Sequence, residues 1–151
     1  MAHDLRYFDA APPHDVQAEM STLGSLILAG TEDPSKVVEL ASILTPADFF
    51  LPKHADVYRA CMDVFNASGS IDSTLLHSHM VDAGLWERCG GEEFLVELVE
   101  LVPTAANGDY YARIVKQASV RRDLIAAAGA AHRAAYEGKP IDQIVGGLEA
   151  S

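Results

Sequence analysis

An all-α fold, a globular multi-helix head followed by a long helical hairpin, is predicted by three observations. Apolar residues recur at steps of three and four in one segment after another, and no segment alternates as a strand would. Proline, glycine and capping side chains stand between those segments, where helices start and stop. One stretch, from about Asn107 to Tyr136, contains no proline and has only Gly108 and Gly129 as weak points. It reads as a single helix of about 30 residues, ~45 Å long at 1.5 Å per residue. A compact domain of this size is roughly 40 Å across, so part of that helix is expected to project from the body.

The elements follow in order. Residues 1–13 form a tail closed by Pro12-Pro13. A helix begins near Asp15, with Val16, Met20, Leu23 and Ile27 on one face and Gly30 as its left-handed stop. Asp33-Pro34 pairs a cap with proline at the first helical position. Val37, Leu40, Ala41 and Leu44 follow. Thr45-Pro46-Ala47-Asp48 repeats that logic, and Pro52 closes its turn. From Lys53 to Ala67 a helix carries Val57, Tyr58, Cys61, Met62 and Phe65 on a wide apolar face. Asp72 caps the next, with Leu75, Leu76, His79 and Met80, stopped by Gly84. Glu92 to Leu101 buries Phe94, Leu95, Leu98 and Leu101. After the long helix, Gly138-Lys139-Pro140 turns the chain, and Ile141, Ile144, Val145 and Leu148 open a return helix that is incomplete at Ser151. The domains are therefore a tail (1–13), a head (14–104) and a hairpin (105–151). No internal repeat is visible.

Composition narrows the function classes. The 151 residues are 49% apolar, enough for one core, and the two cysteines do not make a disulfide framework. Neither a leader nor a membrane-length apolar run is present, so a cytoplasmic protein is expected. Net charge is −11, from 11 basic and 22 acidic side chains, which disfavours direct binding of nucleic acid or anionic membrane by this chain. Six of the basic residues cluster from Arg113 to Lys139. That clustering marks either a solvated helix face or a contact surface.

Catalytic and metal signatures are missing. The one Gly-Lys pair, Gly138-Lys139, lacks the upstream glycine of a phosphate-binding loop and is followed by Pro140 instead of Ser or Thr. His77 and His79 are two apart on a helix and point ~200° from each other, so they do not share an ion. Cys61 and Cys89 have no CxxC partner. Glu92 and Glu93 complement a helix N-terminus instead of forming a catalytic pair. No catalytic, cofactor-binding or metal-binding residue is assigned. The site residues expected to form an interface are Arg113, Lys116, Arg121, Arg122, Leu124, Ile125 and Ala128.

Several motifs then occur in a recognisable order. Pro12-Pro13, Glu19 and Leu23-Gly24-Ser25-Leu26 are followed by Thr45-Pro46-Ala47-Asp48-Phe49-Phe50 with His54 and Tyr58. Next come Ile71-Asp72-Ser73-Thr74-Leu75, Gly90-Gly91-Glu92-Glu93-Phe94-Leu95 and Pro103-Thr104-Ala105-Ala106-Asn107. Tyr110-Tyr111-Ala112-Arg113-Ile114-Val115 and Arg121-Arg122-Asp123-Leu124-Ile125 complete the series. In this order the chain, from about residue 12 to 148, resembles the N-terminal domain of the bacterial DnaB-type replicative DNA helicase. The resemblance implies a collar domain that assembles with itself, from dimer to hexamer, through its hairpins. It also implies binding of primase and, in some systems, of a helicase loader during DNA replication. It implies a parent protein that unwinds DNA with ATP and Mg in a motor absent from this chain; the chain itself holds no cofactor and is not an enzyme. The missing motor and an end inside a helix favour a fragment. Ala128 and its alanine neighbours replace larger apolar residues common in the family, which implies weaker hairpin pairing. Two competing assignments are a primase's helicase-binding domain, with a similar helical fold, and a small helical enzyme, for which no convergent polar cluster is visible.

Overall fold

The computed structural model describes residues 10–150, and every element among them is helical. The order is α1 (Val16–Glu32), α2 (Pro34–Ile43), a 3-10 turn (Pro46–Asp48), α3 (Pro52–Ser68), α4 (Ser73–Asp82), α5 (Gly91–Leu101), α6 (Gly108–Tyr136) and α7 (Ile141–Glu149). Caps set many of these bounds. Asp15 accepts from the amide of Ala18 at the start of α1, and Asp72 accepts from Thr74 and Leu75 at the start of α4. Thr45 and Asp48 close a capping box on the 3-10 turn, the Thr45 amide donating to Asp48 Oδ2 at 2.7 Å. Gly69 ends α3 at φ 79°, a conformation that side chains resist.

Two compact units are present. One is Asp15–Gln117; the other takes in Ala118 onward together with the described residues before Asp15. The division falls inside α6, whose first turns supply core: Ala112 and Val115 are buried with the residues of α1 to α5. The expected tail at residues 1–13 lies outside the described residues up to residue 9.

In the Asp15–Gln117 unit α1 is central and packs against α2, α3 and α5. That position shifts its buried face from the expected one. Leu23 and Leu26 are fully buried, together with Glu19, Thr22 and Ser25, whereas Val16 is exposed and Met20 and Ile27 are only half-covered. A helix surrounded on three sides buries small and polar residues too, which a single apolar stripe does not reveal. Gly30 is not a helix stop. It lies inside α1, and a Cβ there would sit 2.3 Å from Ile71 Cβ, so the glycine permits close approach of the segment after α3. Pro52 likewise opens α3 instead of closing the preceding turn. Leu101 is exposed, not buried, because it lies on the outer side of α5.

Gly24 makes the tightest approach. A Cβ at Gly24 would lie 2.1 Å from the carbonyl oxygen of Leu98 on α5, and that oxygen belongs to rigid helix backbone. Gly24→Ala is therefore expected to destabilise the unit by about 2–3 kcal/mol despite alanine's higher helix propensity. Urea denaturation followed by far-UV circular dichroism reads this; a stabilised variant would show that α1 and α5 separate freely.

Candidate protein-interaction surface

A buried polar clamp holds the head together. Glu19 on α1 is almost fully buried and faces the start of α3. Its Oε2 accepts from the Phe50 amide at 2.8 Å, and its Oε1 accepts from the Leu51 amide at 3.4 Å and contacts His54 Nδ1 at 2.8 Å. The His54 ring stacks parallel to Phe94 of α5 at 5.9 Å, and Lys53 Nζ sits 3.8 Å over the same ring. Tyr58 donates to the Leu44 carbonyl at 2.8 Å. Glu19, Phe50, His54, Tyr58 and Phe94 belong to three of the ordered sequence motifs, and what they do here is join α1, α3 and α5.

Two acidic hydrogens in this region are kept on by their surroundings. Burial pushes the Tyr58 hydroxyl up from 10.0 to about 12, with smaller contributions from Asp48 and Cys61. Burial alone raises the Cys61 thiol from 9.0 to about 12. Above pH 9 the unfolded chain loses these protons while the folded one keeps them, so stability is full below about pH 9 and falls between pH 9 and 12. Melting temperature is expected to drop from pH 8 to pH 10.5, with a shallower drop in Cys61→Ala. An equal slope in that variant would assign the loss to other groups.

The seven expected interface residues divide between the two units. Arg113 is exposed and reaches Asp109, one turn earlier, at 3.7 Å. Lys116 Nζ lies 3.2 Å from the buried Asp48 Oδ1, tying α6 to the 3-10 turn of the same unit. Arg122 Nη1 donates to the Pro13 carbonyl at 2.9 Å, fastening the chain before α1 to α6 within the other unit. The remaining four, Arg121, Leu124, Ile125 and Ala128, fall at i, i+3, i+4 and i+7 and so share one helix face. All four are exposed, Leu124 at 60% and Ile125 at 58%.

The second unit shows why that face stays bare. Ala127, Ala130, Ala131 and Ala134 turn towards α7 and, with Ile144, Gly147 and Leu148, line a hollow of about 340 Å³. The alanines thus serve the pairing of α6 with α7. Isoleucine and valine on α7 are only partly used by it: Ile141 is 79% exposed and Val145 46%. Ile141, Val145 and Leu148 form a second open apolar stripe at i, i+4 and i+7. The pattern Ile141, Ile144, Val145, Leu148 was visible in the sequence, but which members face outward depends on the side α6 occupies.

No helix among the described residues is long and apolar enough to cross a membrane. His77 packs on Trp86 with ring centres 4.3 Å apart, His79 lies 3.3 Å from Asp63, and Cys61 and Cys89 are both buried.

Comparison with known proteins agrees with this architecture. The family model described as DnaB-like helicase N terminal domain matches residues 11–117. The replicative DNA helicase DnaB of Leifsonia xyli is 33% identical over 138 residues, 90% of this chain and 29% of that protein. That of Geobacillus stearothermophilus is 35% identical over 119 residues, 79% of this chain and 25% of the relative. The chain therefore spans between a quarter and a third of the length of these relatives. The crystal structure of the N-terminal domain of DnaB helicase from Mycobacterium tuberculosis superposes with a TM-score of 0.80 at 32% identity, covering 93% of this chain and 96% of that one. By sequence and by fold, the chain belongs to the DnaB-like helicase N-terminal domain family.

Proposed function

We propose that this domain is the collar of a replicative helicase: it assembles with copies of itself through the α6–α7 hairpin and offers the same region to primase. The parent protein unwinds duplex DNA in the cytoplasm with ATP and Mg held by a motor that does not lie within these 151 residues. A helicase loader is a further partner in this reading. The observation that carries the self-assembly is the pair of bare apolar stripes, Leu124-Ile125-Ala128 on α6 and Ile141-Val145-Leu148 on α7. Apolar side chains this exposed and this regularly spaced are stabilised when a second helix covers them.

The net charge of −11 supports a collar that leaves DNA to other parts of the assembly. Sedimentation velocity over a wide concentration range tests the reading. The expected result is a dimer or larger ring that dissociates on dilution. A strict monomer at the highest concentration, with no binding of a primase helicase-binding domain, would overturn it.

A further inference from the structure

A second surface lies in the Asp15–Gln117 unit, where α5 carries a charge pattern that its own fold does not use. Its sequence, GEEFLVELVEL, contains four glutamates and no lysine or arginine. Glu92, Glu93, Glu97 and Glu100 are all exposed, and none makes an ion pair or side-chain hydrogen bond among the described residues. Elsewhere in this unit Glu19, Asp48, Asp56, Asp63 and Asp109 all have cationic or imidazole partners.

The helix dipole accounts for Glu92 and Glu93 in the first turn. It does not account for Glu97 and Glu100, which approach the negative end of α5. Glu93 and Glu97 also face each other at i, i+4, and Glu97 and Glu100 at i, i+3, spacings at which like charges repel. The helix thus carries like-charge repulsion that a cationic partner would relieve.

The same ridge borders an apolar groove of about 650 Å³ between α4 and α5. Ile27, Leu76, Trp86, Leu95, Val96 and Val99 line it, and Glu92 and Glu100 stand at its edge. Val96 is 45% exposed beside the carboxylates, with Leu101 open one turn beyond. Greasy floor and acidic rim run together from Glu92 to Glu100, ~12 Å or about two turns of helix.

We infer that this groove docks an amphipathic helix of a partner protein, one that sets an apolar stripe on Trp86, Leu95 and Val96 and lines its edge with lysine or arginine against Glu92, Glu97 and Glu100. Charge complementarity selects the occupant: an acidic helix or a nucleic-acid backbone is repelled, and a purely apolar segment leaves the carboxylates uncompensated. The docking mode is a helix laid in a groove, with anchors at i, i+3, i+4 and i+7. The surface is separate from the hairpin stripes, so its failure and the failure of self-assembly read out independently.

Trp86 is the only tryptophan in the chain and reports directly on the groove. The probes are two synthetic helical peptides of identical lysine–leucine composition, one segregating leucine from lysine on opposite faces and one scrambled. The expected result is a saturable shift of Trp86 emission with the segregated peptide, at least tenfold weaker with the scrambled one. Glu97→Lys/Glu100→Lys is expected to weaken the segregated peptide at least tenfold, while its circular dichroism melt and its sedimentation match those of the parent chain. Raising salt is expected to weaken binding in the parent and not in the variant. Equal response to both peptides, or undiminished binding by the variant, overturns the proposal. So does a Trp86 shift on dilution of the protein alone, which would give the groove to a second copy of the chain.

Discussion

Glu19→Ala is expected to cost about 3–5 kcal/mol of stability, the range for removing one partner of a buried, hydrogen-bonded pair. Three donors converge on this carboxylate: the amides of Phe50 and Leu51 and the ring nitrogen of His54. Truncation takes this acceptor from all three, the almost fully buried His54 ring among them, and a desolvated donor that loses its acceptor is expensive. A domain of this size holds only about 5–15 kcal/mol in total, so the variant stands near the edge of folding. Glu19→Gln separates geometry from charge. It keeps one acceptor oxygen but turns an amide donor towards another donor, so an intermediate loss is expected. Both are read by urea denaturation, with wild-type slope as the sign that the folded state is unchanged. A loss below about 1 kcal/mol in Glu19→Ala would mean that water or a rearranged loop replaces the carboxylate.

This clamp also explains how far the sequence could be read. Helix existence and extent were legible from period and punctuation. The stretch from Asn107 to Tyr136 is α6 at Gly108–Tyr136, and Lys53 to Ala67 is α3 at Pro52–Ser68. Local signals decide such spans: caps at Asp15 and Asp72, a left-handed glycine at Gly69, proline at a first turn. Glu19 stands in one of the ordered motifs, but its role as a buried acceptor depends on donors 31 to 35 residues away in sequence. One local hint existed. Glu19 precedes Leu23 and Leu26 at i+4 and i+7, which places it on the face that α1 buries.

The candidate interface divides in the same manner. The stripe Arg121, Leu124, Ile125, Ala128 follows from helical spacing alone and is exposed as a unit. Lys116 and Arg122 came from the same basic run, yet each is held by a distant group, Asp48 and the Pro13 carbonyl respectively. Contacts separated by 68 and 109 residues leave no periodic trace. Gly30 shows the converse limit: a glycine near a helix end reads as a stop, and only the position of Ile71 reveals that it is needed for packing.

The hairpin face carries the second large effect. Leu124→Asp/Ile125→Asp is expected to abolish self-association while leaving the melting temperature of the isolated chain within a degree or two. Both side chains are more than half exposed, so their loss removes little packing within the chain. On assembly each would bury most of its surface, worth about 1–2 kcal/mol per side chain and counted twice across a symmetric pair. Two buried carboxylates per copy add a desolvation penalty and mutual repulsion, so a dissociation constant raised at least a hundredfold is expected. The control is Arg59→Glu, which lies in the other unit and pairs with Asp56; it is expected to leave association within about threefold. Sedimentation velocity on both variants makes the comparison. Association that survives the double aspartate would move the contact to the α7 stripe, where Ile141 and Val145 offer the only comparably open apolar side chains of that helix besides Leu148. A simultaneous fall in melting temperature would instead show that Leu124 and Ile125 support the hairpin itself.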